Sequence, residues 1–200
     1  LYETIAREAR MDTLTNLYNR RYFTQQLETT FEQYKQSVLT LILINFDDFK
    51  LYNELYGSND GDELLKAFAN ILKTVISSKG IIGRYSGKEF CICLPLCSTE
   101  EAEEIVSDIR ERLSNILNQS GETTKRFLTF SAGISSYPAS ASSMNQLLTY
   151  ANMAVYAGKK SGKNKTIVYS DHKHEVETNA LSYANIEAIG HEYSSTIYAL

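Results

Sequence analysis

The chain has 200 residues, 43% of them hydrophobic, and a formal net charge of −4, which suits one globular domain with some chain left over. The negative charge argues against nucleic acid or an anionic membrane as a partner, and no apolar run reaches the ~18 residues of a membrane span. Cys91, Cys93 and Cys97 have no histidine nearby and make a poor zinc site, so we expect reduced, packed thiols in a cytoplasmic domain.

The N-terminal part of the chain predicts two helices separated by a polar segment. Apolar side chains at helical spacing indicate that residues 1–11 end a helix from an upstream domain, and the start at Leu1 indicates a segment of a longer protein. Polar residues follow, and Asn19 is placed to cap a second helix. The predicted inner face of that helix holds Tyr22, Phe23, Leu27 and Phe31.

A central strand is predicted over residues 38–46, because almost every residue there is apolar or β-branched and would be buried on either face of a sheet. A polar cluster at residues 45–50 ends this strand, at the position where α/β proteins place ligand-binding groups. Apolar residues at helical spacing from Leu64 to Ile76 then predict a long amphipathic helix.

A β-hairpin is predicted over residues 82–95. Ser86 and Gly87 form a turn dipeptide, and Gly87 would let a ligand approach the backbone closely. Arg84, Lys88 and Glu89 concentrate charge at the tip of this hairpin.

The remaining segments complete an α/β (α+β) pattern. A capping box at residues 98–101 opens a helix. A strand, a helix and a short strand are then predicted at residues 126–137, 144–161 and 166–169. This order predicts a central, mostly antiparallel sheet covered by helices, and it leaves several strand orders open.

The hairpin tip resembles the signature loop of GGDEF domains, the diguanylate cyclase family, which reads Arg-Tyr-Gly-Gly-Asp/Glu-Glu-Phe. Residues 84–90 of this chain read Arg-Tyr-Ser-Gly-Lys-Glu-Phe. Asn16 replaces a glycine of the family's first motif, and Asn tolerates the left-handed backbone well. Three further family motifs have counterparts in the same order, at residues 12–21, 45–50 and 151–164. The resemblance spans residues 12–169 and implies a nucleotide-cyclase-like sheet, with the hairpin beside the end of the central strand.

The resemblance implies a domain that has lost its catalytic metals. Family members hold two divalent cations with carboxylates, and the main ligand positions are Asn45 and Lys88 here. Asn45 keeps an oxygen without its charge, and a Lys88 ammonium ~4 Å from a divalent cation would be repelled by several kcal/mol. We therefore expect a degenerate GGDEF domain without diguanylate cyclase activity or a required cofactor. One alternative stays open, in which Asp47, Asp48 or Glu89 shifts to hold one Mg²⁺ weakly.

The resemblance also implies that nucleotide-binding groups remain. An aspartate and an asparagine that pair with guanine reject adenine, because adenine would leave buried polar groups unpaired. Backbone N–H groups of residues 46–49 would face an anion at a helix start, and Lys88 would stand in for a cation. The expected binding residues are Asn53 and Asp62 for guanine, Lys88, Lys159 and Lys163 for phosphate, and Phe46, Asp47, Phe49 and Arg84 beside them. Ser77 and Gly80 replace both anchors of the family's inhibitory site, so cyclic di-GMP is not expected to bind there.

The tail of the chain, residues 170–200, is predicted to be a linker and a helix that leads into a downstream domain. Residues 193–200 weakly resemble the first helix of HD-GYP phosphodiesterase domains, which makes such a domain an expected partner within the same chain.

Three functions follow as hypotheses. The first is a catalytically inactive regulatory domain of bacterial cyclic di-GMP signal transduction, which binds GTP or another guanine nucleotide and modulates an adjoining catalytic domain. The second is an active diguanylate cyclase that converts two GTP molecules to cyclic di-GMP. The third is a scaffold that forms a homodimer or spaces its neighbours through residues 1–11 and 175–200.

Overall fold

The computed structural model describes residues 9–119 and 127–170. The strands in these ranges are β1 (Tyr18–Asn19), β2 (Leu39–Asp47), β3 (Ile81–Ser86), β4 (Glu89–Pro95), β5 (Thr129–Tyr137) and β6 (Thr166–Val168). The helices are α1 (Arg20–Gln33), α2 (Phe49–Tyr56), α3 (Ser58–Ile76), α4 (Thr99–Gln119) and α5 (Met144–Lys160). Within the two ranges, no helix has the length and apolarity that crossing a bilayer requires.

The strands form one six-stranded sheet in the order β1-β3-β4-β2-β5-β6. Strand β2 is antiparallel to both of its neighbours and β3 is antiparallel to β4, whereas β1 and β6 at the two edges are parallel to theirs. The predicted mostly antiparallel sheet is therefore confirmed, with the predicted central strand observed at β2. Because Asn45 pairs with Glu89, the hairpin tip lies beside the end of β2.

Helices cover both faces of the sheet, and β2 contributes side chains to both cores. Its odd-numbered residues from Leu39 to Leu43 pack with α1 and α5, and its even-numbered residues from Ile42 to Phe46 pack with α3 and α4. Burial of each Leu, Ile or Phe side chain contributes about 1.5–3 kcal/mol. A slip of one residue would exchange the two sets of side chains, so burial on both faces fixes the register of β2.

The predicted cap and turn of the N-terminal motif are confirmed. The Asn19 side chain accepts a hydrogen bond from the Tyr22 N–H at 2.9 Å and caps α1. Asn16 adopts the left-handed conformation, with φ of +55°. The buried residues of α1 are Phe23, Leu27 and Phe31.

The helix predicted over residues 1–11 is wrong for residues 9–11. Residues 9 and 10 form a turn, and Met11 makes an antiparallel bridge to Tyr18. Asn19 holds this turn, because its backbone N–H donates to the Arg10 carbonyl at 2.9 Å and its side-chain amide donates to the Ala9 carbonyl at 3.1 Å. The predictions for residues 1–8, for residue 126 and for the tail at 171–200 lie outside the described residues.

The hairpin turn comprises residues 87–88, one position later than the predicted 86–87. The pairing with β4 shifts by one residue within residues 84–86, which makes Tyr85 the extra residue of a β-bulge. The Tyr85 side chain is 9% exposed, and the Arg20 guanidinium lies 4.5 Å from its ring centroid. The bulge adds one residue to β3 before the turn, so the turn falls one position later than predicted.

The other predicted elements are confirmed with small changes at their ends. In the capping box, the Ser98 N–H donates to the Glu101 carboxylate at 2.8 Å, and the Glu101 N–H donates to Ser98 Oγ at 3.2 Å. Strand β5 begins at Thr129, α5 ends at Lys160 and β6 ends at Val168.

The three cysteines are free and buried, as predicted. Burial raises the pKa of Cys93 to about 12 and the pKa of Cys97 to about 11. Both side chains are therefore uncharged thiols near neutral pH and behave as small apolar groups.

Gly133 allows β5 to approach the backbone of α5. A Cβ at this position would collide with the Ala151 carbonyl oxygen and lie 2.7 Å from the Val155 nitrogen. We expect Gly133→Ala to lower the free energy of unfolding by about 1–3 kcal/mol, because strand and helix must move apart. Urea denaturation measures this change. Gly87→Ala is the matched control, since a Cβ there meets nothing within 4 Å, and equal losses in both variants would contradict the close packing.

Candidate functional site

The candidate site lies where β2 ends, between the hairpin tip and the end of α5. Side chains alternate along a strand, so the register that buries Leu43 beneath α5 also turns Asn45 and Asp47 toward that face. The same alternation on β4 places Glu89 on the side of the buried Cys91. The structure therefore brings three of the predicted site residues to one end of the sheet.

Asn45 and Glu89 contact each other directly. The Asn45 Nδ2 donates a hydrogen bond to Glu89 Oε1 at 2.7 Å. Two carboxylates at this separation would repel each other unless a cation lay between them, whereas the amide brings its own proton. Asn45 Oδ1 is buried and has no hydrogen-bond partner among the described residues. Asn45 and Glu89 line a small cleft together with Tyr85, Asn152 and Val155.

Asp47 is a buried carboxylate with four hydrogen-bond donors. Its side chain accepts from Thr129 Oγ1 at 2.7 Å, Ser131 Oγ at 2.8 Å, Lys159 Nζ at 2.8 Å and the Asn164 N–H at 2.9 Å. Burial raises the pKa of Asp47, but these hydrogen bonds, led by that from Lys159, outweigh it and leave the pKa below its usual value. This carboxylate is ionised and occupied by protein groups.

Two of the three predicted phosphate-binding lysines, Lys159 and Lys163, are paired with carboxylates at the end of β2. Besides its contact with Asp47, Lys159 Nζ donates to the carbonyls of Asn45 at 3.3 Å and Phe46 at 3.1 Å, which uses its three protons. Lys163 Nζ contacts both oxygens of Asp48, at 2.8 and 2.9 Å, and this hydrogen bonding raises the pKa of Lys163. Any phosphate group must compete with these partners.

The prediction that the backbone N–H groups of residues 46–49 all face an anion is wrong for Phe46. The Phe46 N–H donates to the Lys88 carbonyl at 3.0 Å, and the Phe46 ring is fully buried against Phe49 and Phe68. Helix α2 begins at Phe49, after Asp48 in the left-handed conformation with φ of +54°. The N–H groups without an intrahelical acceptor therefore belong to the first turn of α2.

Arg84 braces the hairpin tip against the N-terminal motif. Its Nε donates to the Ser86 carbonyl at 3.2 Å, its Nη2 to the Gly87 carbonyl at 3.0 Å and its Nη1 to Asp12 Oδ2 at 3.1 Å. Burial raises the pKa of Asp12, but hydrogen bonds from Thr15 and Arg84 outweigh it and lower the pKa overall. Since all three guanidinium nitrogens are used, the geometry favours a positioning role for Arg84.

The predicted guanine-reading residues lie on two consecutive helices, Asn53 on α2 and Asp62 on α3. Asn53 Oδ1 packs against Gly61, where a Cβ would collide with it, and Asp62 is exposed at the next position. Asn53 Oδ1 is buried and has no hydrogen-bond partner in the part of the chain that the structure describes. Such an orphaned acceptor costs about 1–3 kcal/mol, which a donor from a ligand would recover.

The positions of the family's inhibitory site have another role in this chain. Ser77 is the C-cap of α3 and has a φ of +50°. Gly80 packs against Cys93, and a Cβ at position 80 would collide with the Cys93 carbonyl oxygen. An aspartate at position 80 would require a backbone shift, and the expected absence of that site stays a prediction.

The motifs did not reveal which groups hold Asp47 in place. Thr129 and Ser131 occupy alternate positions of β5 beside Asp47, so polar residues alternating along the predicted strand were an available signal. Tyr85 and Asn152 gave no such signal, because a bulge and a packed helix bring them to the cleft.

The donor set at this site does not fit a divalent cation. Mg²⁺ prefers several anionic oxygens in octahedral geometry. Asp47 and Asp48 are each paired with a lysine, Glu89 accepts from an amide, and Lys88 places an exposed positive charge at the tip. Within residues 9–119 and 127–170, no three side chains converge as a metal-binding group.

The fold and the site define a nucleotide-cyclase-like domain, in which the polar end of a central strand lies beside a charged hairpin tip. The family model described as diguanylate cyclase, GGDEF domain, matches residues 9–165. The chain therefore belongs to the GGDEF domain family.

Known proteins resemble the chain in sequence and fold. It is 32% identical over 182 residues to YhcK of Bacillus subtilis (strain 168), an uncharacterized protein, with coverage of 86% of this chain and 49% of YhcK. It is 29% identical over 161 residues to the probable diguanylate cyclase DgcT of Escherichia coli (strain K12), with coverage of 80% and 36%. The chain thus spans about half or less of the length of these relatives.

The predicted nucleotide-cyclase-like fold is confirmed by a solved structure. The crystal structure of the coiled coil and GGDEF domain of DgcB from Caulobacter crescentus, in complex with c-di-GMP, aligns with a TM-score of 0.74 and 25% identity. The alignment covers 84% of this chain and 89% of that chain.

The Asp47–Lys159 pair generates a stability prediction. We expect Asp47→Asn to lower the free energy of unfolding at neutral pH by ~3 kcal/mol, because Lys159 loses its buried counter-charge. Urea denaturation measures the loss. Asp108→Asn, which breaks an exposed pair with Arg112, is the matched control and should leave stability unchanged.

The pH dependence of this difference tests the ion pair itself. The pKa of Asp47 lies below its usual value of 3.8, so its stabilisation is complete above that pH and is lost as the pH falls through the lower folded-state value. The difference in free energy of unfolding between wild type and Asp47→Asn should therefore decrease below about pH 4. A difference in free energy of unfolding that stays constant with pH would contradict the Asp47–Lys159 ion pair.

Proposed function

We propose that this GGDEF domain is a catalytically inactive regulatory module of cyclic di-GMP signalling, which binds GTP or another guanine nucleotide. The observation that carries the proposal is the 2.7 Å contact between Asn45 Nδ2 and Glu89 Oε1, in which an amide proton lies where two carboxylates would need a cation. Joining two GTP molecules requires an activated 3′-hydroxyl and a neutralised triphosphate. Asn45 and Lys88 offer no pair of carboxylates for either task.

Guanine binding is supported by the orphaned acceptor of Asn53. The Watson–Crick edge of guanine offers N–H donors that adenine lacks at the same positions. The Asp62 carboxylate would accept from these donors, and the Asn53 amide would pair beside it. Adenine lacks these donors, so it would leave the buried Asn53 oxygen and the Asp62 carboxylate without a partner from the base.

Lys88 supports binding that does not require Mg²⁺. Its side chain is exposed at the turn, and its backbone carbonyl is bonded to the end of β2, so the ammonium group can approach a phosphate bound there. A lysine acts as a point charge on a flexible stem and tolerates varied phosphate positions.

The proposed setting is the cytoplasm, where the module would modulate an adjoining catalytic domain of the same chain, with an HD-GYP phosphodiesterase as the expected neighbour and a homodimer as the expected assembly. The second candidate function is an active diguanylate cyclase, which the similarity to the probable diguanylate cyclase DgcT favours. A product assay separates the two functions.

We expect titration calorimetry to show GTP binding with Kd on the order of 10 μM, with or without Mg²⁺, and no binding of ATP. Asp62→Ala should weaken GTP binding at least about tenfold, because it removes the acceptor for the guanine donors. Asp108→Ala is a control of equal charge change on α4. No heat at about 1 mM GTP would overturn the proposal, as would cyclic di-GMP formed from GTP with Mg²⁺ or Mn²⁺.

The lost metal positions can be tested by restoring them. Asn45→Asp should lower Tm in EDTA, because it places a second carboxylate within contact distance of Glu89. The double variant Asn45→Asp, Lys88→Glu should show a higher Tm when Mg²⁺ is added. Differential scanning calorimetry of wild type, both single variants and the double variant measures this difference. If Mg²⁺ leaves the double variant unchanged, residues 45 and 88 are not the metal positions.

A further inference from the structure

The Asp48–Lys163 ion pair lies at the proposed phosphate position and generates a prediction about ligand selection. Lys163 Nζ lies 2.8 and 2.9 Å from the two Asp48 oxygens, so one carboxylate engages the ammonium as a phosphate would. The side chains of Asp48 and Lys163 are 56% and 45% exposed, which leaves the pair open to competition from an anionic ligand.

Asp48 contacts Lys163 instead of capping the helix that follows it. An aspartate before a helix commonly accepts hydrogen bonds from the first-turn N–H groups. Asp48 immediately precedes α2, yet its side chain makes no capping hydrogen bond and reaches across to Lys163. Its negative charge therefore lies beside the one helix end where a phosphate of the proposed nucleotide would approach.

Lys159, the other predicted phosphate-binding lysine near Asp48, does not compensate for the negative charge of Asp48. Lys159 is held by Asp47 and by two carbonyls of β2, as described above. Lys50 at the start of α2 is 92% exposed and pairs loosely with Glu54 at 3.8 Å, so solvent and salt screen it. Lys88 is exposed at the hairpin tip, so solvent and salt screen its charge as well. The phosphates of a ligand would therefore meet paired or screened cations, while its base would meet the Asn53 oxygen, which has no hydrogen-bond partner among the described residues.

We propose that Asp48 determines ligand specificity by competing with phosphate groups for Lys163. The site would then select the guanine base and gain little affinity from additional phosphates. The ligand class is then guanine nucleosides and nucleotides of any phosphate number. This inference rests on the proposed function, because it concerns the same site, and it adds the residue that sets the preference among ligands.

Calorimetry with guanosine, GMP and GTP in the absence of Mg²⁺ tests the inference on four proteins. These are wild type, Asp48→Asn, Lys163→Gln and the double variant. Asparagine tolerates the left-handed backbone at position 48, so the first substitution retains the local fold. Glu54→Gln, which removes a carboxylate from the neighbouring exposed pair, is the matched control, and Tm of each variant verifies folding.

In wild type we expect the three affinities to agree within about threefold. Asp48→Asn should strengthen GTP binding about tenfold and leave guanosine within about twofold, because only the phosphates gain a partner. Lys163→Gln in the Asp48→Asn background should abolish this gain in GTP affinity, which is the signature of coupling between the two residues. Glu54→Gln should leave the ranking of the three ligands unchanged.

Two results would overturn the inference while leaving guanine binding intact. One is wild-type binding of GTP at least about tenfold tighter than GMP, and the other is an equal effect of Asp48→Asn on guanosine and GTP. Failure of all three ligands to bind any variant would instead overturn the proposed function, and this inference with it.

Discussion

The arrangement of the site depends on the hydrogen bonds and the ion pair of the Asp47 carboxylate. This carboxylate lies at the end of the central strand and receives hydrogen bonds from β5, from α5 and from the loop after α5. Removing one partner of a buried ion pair leaves the other charge uncompensated, so the elements hold one another in position. Asn45 and Asp48 flank this anchor in the chain and contact Glu89 and Lys163 respectively.

Local signals in the sequence were sufficient for most of the fold. The buried pattern of β2 and the cap at Asn19 depend on neighbouring residues, and both were predicted. The hairpin turn was misplaced by one residue, because the bulge at Tyr85, which packs against Arg20 of a distant helix, adds a residue before the turn. The turn at residues 9 and 10 was missed for a similar reason, since its hydrogen bonds come from Asn19.

The sequence did not predict which charges pair with one another at the candidate site. The resemblance assigned Lys159 and Lys163 to phosphate, yet each lysine contacts an aspartate that lies more than a hundred residues away in the chain. Residue types show which charges exist, whereas the register of the sheet decides which charges neutralise one another. The amide of Asn45 is a similar case, because its proton replaces a charge only when Glu89 lies opposite.

The Arg84 brace has a mechanical consequence for the domain. The turn at residues 9 and 10 is bonded to Asn19, β1 is bonded to β3, and Asp12 is bonded through Arg84 to the carbonyls of the tip. A displacement of the turn at residues 9 and 10 would therefore be transmitted to the hairpin tip through hydrogen bonds along this side of the sheet. The Arg84–Asp12 ion pair thus fixes the position of the tip relative to the N-terminal motif, so that these two parts of the domain would move together.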